Sequence, residues 1–68
     1  MDDEVFNLSI RKFLKVVGVS SQREIEQAVA KALQDGSIGG QATLPATMTL
    51  DIPALKLRVS FDGEVKLQ

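Results

Sequence analysis

The sequence predicts an α+β fold in which a helical hairpin packs on a three-stranded antiparallel β-meander, in the order ααβββ. Two observations carry this prediction. Apolar residues recur at helical spacing over the first half of the chain, and they alternate with polar residues over the last third, as in half-buried strands. A glycine followed by Ser21 and Glu24 interrupts the helical half, which is the pattern of one helix ending and another beginning.

The first helix is predicted over residues 3–17 because apolar side chains recur along one face at the helical period: Phe6, Ile10, Phe13, Leu14 and Val17. Further apolar side chains widen that face: Val5, Leu8 and Val16. Acidic residues at the start and basic residues toward the end complement the helix dipole. We therefore expect this helix to be covered on more than one side.

The second helix is predicted over residues 22–34. Gly18 can adopt the positive φ that closes the first helix, and Ser21 with Glu24 forms a capping box for the next. Asp35-Gly36 supplies the stop, and a linker follows over residues 36–45. Since the whole chain has 68 residues, a single domain over residues 1–68 is expected.

Three strands are predicted, over residues 46–52, 55–61 and 64–67, with the second in the middle of the sheet. A tight turn at Pro53-Ala54 would pair Ile52 with Leu55 and set Asp51 against Lys56. It would also bring Leu50 opposite Leu57 and Met48 opposite Val59.

At the second turn, a two-residue loop at Asp62-Gly63 would mix the apolar and polar faces of the strands. A three-residue loop, Phe61-Asp62-Gly63, is preferred because it pairs Val59 with Val65. The same loop pairs Leu57 with Leu67 and brings Arg58 opposite Lys66.

Composition argues against catalysis. The chain contains neither histidine nor cysteine, so it lacks the usual general base, the thiol nucleophile and the commonest metal ligands. No catalytic residue, cofactor-binding residue or metal site is predicted, and the chain is not expected to be an enzyme. Without a long apolar run, and with an acidic start unlike a signal peptide, a cytoplasmic location is expected and a membrane partner is not.

Basic side chains supply the candidate interaction surface: Arg11, Lys15, Arg23, Lys56, Arg58 and Lys66. They fit either an anionic partner or ordinary solvated faces. A nucleic-acid-binding role is disfavoured by the net charge of −1. The helix–turn–helix spacing is also one residue too long after Gly18, and Glu24 and Glu26 would face phosphates.

Several segments together resemble the domain-of-unknown-function 6494 family. They are residues 6–15, residues 17–26 with Ala28-Val29, the stretch Leu44-Pro45-Ala46 and the turn Asp62-Gly63-Glu64. The resemblance covers nearly the whole chain and implies a stand-alone soluble bacterial protein. It brings no known activity, ligand or catalytic residue.

The function predicted from these observations is that of a small non-enzymatic protein-interaction module, with self-association as one form of it. Its expected partner is another protein or a second copy of the chain. The alternative is a nucleic-acid-binding regulator of the helix–turn–helix or winged-helix type, using the helical pair or the basic sheet face.

Overall fold

A computed structural model describes residues 1–68 and contains one long helix and one β-hairpin. Helix α1 spans Asp3–Gln34, strand β1 spans Thr43–Ile52, a short 3-10 turn spans Pro53–Leu55, and strand β2 spans Leu57–Lys66. The prediction of a helical hairpin with a three-stranded meander is therefore wrong. The chain divides into two compact units, Met1–Ser37 and Ile38–Gln68. The expectation of a single domain stays a prediction.

Helix α1 runs without interruption through the predicted turn at residues 18–21. Gly18 does not adopt a positive φ, and Ser21 and Glu24 lie inside the helix, where no free helix start exists for a capping box. A glycine inside a helix costs about 1 kcal/mol relative to alanine. Ending the helix there would leave the terminal N–H and C=O groups of two new helix ends without partners. The continuous helix avoids that larger penalty.

The carboxylate of Asp2 caps the first turn of helix α1, which begins at Asp3. The N–H groups of Glu4 and Val5 donate to Asp2 Oδ1 at 3.0 and 3.2 Å. Asp3 and Glu4 add negative charge where the helix dipole is positive. A capping aspartate therefore starts the helix, close to the predicted start at residue 3.

The helix ends at Asp35-Gly36, as predicted. Gly36 has a φ of 80°. The Ser37 N–H donates to the Ala32 carbonyl at 2.9 Å, and the Gly36 N–H donates to the Leu33 carbonyl at 3.4 Å. These two bonds form a Schellman motif, which satisfies carbonyls that the helix leaves free and requires a left-handed residue at the glycine position.

Ser37 also lowers the pKa of Asp35. Its hydroxyl and its N–H both donate to Asp35 Oδ1, and these hydrogen bonds favour the charged carboxylate, so the pKa lies below the ordinary value for aspartate. Because the pKa of Asp35 is lower in the folded state than in the unfolded state, the ionised carboxylate stabilises the folded state. This stabilisation is fully present above the unfolded pKa of about 3.9, and it is lost as the pH falls through the lower folded pKa.

We expect Ser37→Ala to raise the pKa of Asp35 toward its ordinary value, since the hydroxyl bond is the larger cause of the shift. An NMR titration of the Asp35 carboxyl carbon in both proteins measures this. Ser20→Ala removes a hydroxyl in the middle of α1 and serves as the control. An Asp35 pKa that is the same in Ser37→Ala and the native chain would contradict the assignment.

The hairpin pairs β1 with β2 in an antiparallel register that runs from Ile52↔Leu57 to Thr43↔Lys66. The predicted pairing of Ile52 with Leu55, and the pairings that follow from it, are therefore shifted by two residues. The cause is the turn, which uses Pro53–Leu55 and then Lys56, whose φ of 52° is left-handed. Because the shift is an even number, each side chain that lies in β1 or β2 keeps its predicted face of the sheet.

The predicted second turn does not exist, and β2 continues through Phe61-Asp62-Gly63. The predicted pairs of Val59 with Val65, Leu57 with Leu67 and Arg58 with Lys66 are wrong for the same reason. Strand β1 begins at Thr43, inside the predicted linker, so it offers partners to this segment. Asp62 faces Thr47, whose hydroxyl donates to the Asp62 carboxylate at 2.9 Å. A loop at Phe61-Asp62-Gly63 would break the pairing of this segment with β1.

The hydrogen bond next to the ends of β1 and β2 that lie far from the turn shows which residue pairs of the ladder are hydrogen-bonded; this alternation is called here the ladder phase. The Leu67 N–H donates to the Ala42 carbonyl at 3.1 Å, which makes Ala42 and Leu67 a hydrogen-bonded pair. Such pairs alternate with non-hydrogen-bonded ones in an antiparallel ladder. Pro45, opposite Glu64, therefore occupies a non-hydrogen-bonded position, where its missing N–H is not needed within the hairpin.

Candidate interaction surfaces

The hairpin has one entirely apolar face, called here the apolar face. It is formed by Leu44, Ala46, Met48, Leu50, Ile52, Leu57, Val59, Phe61, Gly63 and Val65, which the register places on the same side. No side chain of this face is buried, and Phe61 is 59% exposed. A two-stranded ribbon has no second layer of its own, so this apolar surface is open to contact.

The opposite face of the hairpin is polar and internally paired. The Thr49 and Ser60 hydroxyls lie 3.0 Å apart. Arg58 donates to Asp51 at 3.1 Å, in place of the predicted partnership of Asp51 with Lys56. Both partners of this ion pair are largely exposed, so its contribution to stability is about 0–1 kcal/mol.

Helix α1 is apolar along two sides of its N-terminal half. The predicted apolar face is present, with Phe6 and Phe13 about half exposed. A second row lies on another side of the helix: Val5, Leu8, Val16 and Val19. A shallow groove lined by Val5, Leu8, Ser9 and Lys12 follows this second row. The unit that contains α1 buries neither row.

The predicted basic residues on the helix fall on one element. Arg11 and Lys15 lie one turn apart on the same side of α1. Arg23, which was predicted at the start of a second helix, lies two turns beyond Lys15 on the same helix. None of the three has an ion-pair partner within its unit.

The predicted basic residues on the hairpin do not converge. Lys56 occupies the turn, whereas Arg58 and Lys66 lie near opposite ends of β2, roughly 26 Å apart at the usual strand rise. Arg58 faces Asp51, and Lys66 faces Thr43. A role for these six residues in binding stays a prediction, and the structure shows them as separate positive charges.

The sequence prediction overlooked the apolar face as a candidate surface, although its signal was present. The strict alternation of apolar and polar residues predicted which side chains share a face, and it assigned them to a covered core. In the hairpin they are exposed instead.

The structure contains no group of three or more His, Cys, Asp or Glu side chains placed to hold a metal ion. Helix α1 lacks the continuous apolar stretch required to cross a bilayer.

These observations define a small α+β chain in which a long amphipathic helix precedes a two-stranded hairpin with an open apolar face. The chain belongs to the family described as "Family of unknown function (DUF6494)", which matches residues 1–68, the whole chain. The resemblance noted in the sequence is thereby confirmed. Neither a search of curated proteins nor a search of solved structures finds a match.

Proposed function

We propose that this chain is a small non-enzymatic protein-interaction module whose apolar face receives a partner protein. The observation that carries the proposal is the uniform chemistry of that face, which contains no polar or charged side chain and has no cover within the hairpin. Contiguous apolar patches of more than a few hundred Å² are rare on monomeric proteins and mark contact sites.

The chemistry of the apolar face sets what the partner must provide. Leu50 and Val59 lie opposite each other near its middle, with Met48 and Phe61 as the next pair. Interface cores are depleted of charge and enriched in aromatic residues and methionine. The partner surface is therefore apolar at its centre.

Catalysis is left out of the proposal because the sequence offers neither an imidazole nor a thiol. The proposal includes a cytoplasmic location, which fractionation of cells expressing the chain would test.

Nucleic acid is the alternative partner. The separation of Arg58 from Lys66 along β2 means that the hairpin offers nucleic acid no concentrated basic surface.

Capture from bacterial lysate on the tagged full chain tests the proposal. Leu50→Lys places a charge in the middle of the apolar face, and Thr49→Lys places the same charge on the neighbouring residue of the polar face. We expect the native chain and Thr49→Lys to retain the same protein in stoichiometric amount. Leu50→Lys is expected to reduce its retention at least tenfold, because burying an unpaired lysine is unfavourable.

Two outcomes would contradict the proposal. One is the absence of any stoichiometric protein partner, and the other is retention that Leu50→Lys leaves unchanged. Captured nucleic acid that is released by moderate salt, and lost on neutralising Arg58 and Lys66, would instead support the regulator.

A further inference from the structure

We propose that β2 pairs in antiparallel fashion with β2 of a second copy, so that two hairpins form one four-stranded sheet in the order β1-β2-β2-β1. This inference goes beyond the proposed function, because it concerns the free edge of β2 and not the apolar face. The sheet of one chain has only two strands, which leaves β2 with an unpaired outer edge. Isolated two-stranded hairpins are at best marginally stable in water, and additional strands stabilise them.

The two edges of the hairpin are not equivalent. The ladder phase directs the N–H of residues on the polar face away from the partner strand, toward the free edge. On β1 one of these positions is Pro45, which has no N–H to offer, and proline on an edge strand discourages pairing. On β2 every such position has a donor: Arg58, Ser60, Asp62, Glu64 and Lys66. The edge of β2 is therefore the one suited to accept a strand.

Charge and the length of the overlap together select the register of the new pair. With Phe61 opposite Phe61 of the second copy, Arg58 faces Glu64 and Ser60 faces Asp62 across the symmetry axis. Opposite charges directly across a sheet are favourable. Arg58 retains its bond to Asp51 in the same hairpin, because a guanidinium has five donors.

The neighbouring registers that keep the faces aligned are worse. Moving the axis to Asp62 sets two Asp62 carboxylates against each other and Arg58 against Lys66, which are like-charge pairs. Moving it to Ser60 shortens the overlap from residues 57–65 to residues 57–63. The register centred on Phe61 combines the longer overlap with opposite charges.

The apolar face supports the same register. The two Phe61 rings meet at a non-hydrogen-bonded position, where strands bring side chains closest together. Val59 then lies opposite Gly63 of the second copy, and the space around Gly63 is open. The apolar face of each hairpin continues across the axis, so dimerisation enlarges the surface offered to a partner protein.

Light scattering on the purified full chain, with two proline variants, tests the pairing. Ser60→Pro removes a donor from the free edge of β2, and Thr49→Pro removes one from the free edge of β1. Because Thr49 and Ser60 share one hydroxyl contact, both variants lose it equally. We expect the native chain and Thr49→Pro to show twice the 7.4 kDa chain mass, and Ser60→Pro to be monomeric.

Charge reversal provides a second test. Recovery of the dimer on mixing two variants cannot be explained by variants that fail to fold. Arg58→Glu and Glu64→Arg each create like-charge pairs in a homodimer, so we expect each alone to raise the dimer Kd about tenfold. In an equimolar mixture of the two variants, a dimer with one copy of each has opposite charges at both contacts. The mixture is therefore expected to recover the dimer mass.

A native chain that stays monomeric at millimolar concentration would overturn the inference. A dimer that Ser60→Pro leaves intact, or reversed variants that fail to recover on mixing, would also overturn it. These results are separate from those for the proposed function, which is measured by Leu50-dependent capture. A monomer with Leu50-dependent capture refutes the dimer alone, and a dimer without such capture refutes the partner site alone.

Discussion

Gly18→Pro is expected to destabilise α1 by about 3 kcal/mol, because proline inside a helix removes a backbone hydrogen bond and clashes with the preceding turn. Gly18 lies in the middle of the continuous helix Asp3–Gln34. Urea unfolding of the full chain followed by circular dichroism measures the loss, together with a fall in helix content. In a helical hairpin with a turn at Gly18, proline would strain the turn without interrupting either helix, so the helix content would fall much less.

Alanine substitutions at two glycines provide the matched control. Gly18→Ala is expected to stabilise the helix by about 0.5–1 kcal/mol, since the backbone is helical and an added Cβ meets no atom within 4 Å. Gly36→Ala is expected to destabilise it by about 1–2 kcal/mol, because its φ of 80° is left-handed. Destabilisation by Gly18→Ala would indicate that the helix ends at Gly18.

Phe61→Pro is expected to disrupt the hairpin. The ladder phase directs the Phe61 N–H toward Met48 on β1, so proline removes an internal hydrogen bond from the middle of the strand pair. A two-stranded hairpin has little stability to spare, and we expect the cross-strand nuclear Overhauser effects between Leu50 and Val59 to disappear.

Thr49→Pro is the control for Phe61→Pro. The N–H of the native Thr49 faces the free edge of β1, as the nitrogen of Pro45 does, so its loss removes no hydrogen bond between the strands. We expect this variant to keep the Leu50–Val59 contacts. If Phe61→Pro also keeps them, then the Phe61 N–H does not contribute to the strand pairing and the assigned phase of the hydrogen-bond ladder is wrong.

Local signals in the sequence determined the ends of the helix and the faces of the strands. Asp35-Gly36 is a sufficient stop because the glycine has to adopt a positive φ there and Ser37 completes the cap. The alternation along the strands assigned Leu50, Val59 and their neighbours to one face, and this assignment survives a two-residue shift in register. The family, too, was recognisable from the sequence.

The connections were decided only by the tertiary structure. Gly18 with Ser21 and Glu24, and Asp62-Gly63, have the composition of turns, and composition alone does not compare a turn with the continuous element that it would interrupt. That comparison depends on hydrogen bonds along the entire segment. Helix α1 keeps its bonds by passing through Gly18, and β2 keeps its partners on β1 by passing through Gly63. The apolar face is exposed because the hairpin has no second layer of its own, and the alternation along the strands does not reveal whether such a layer exists.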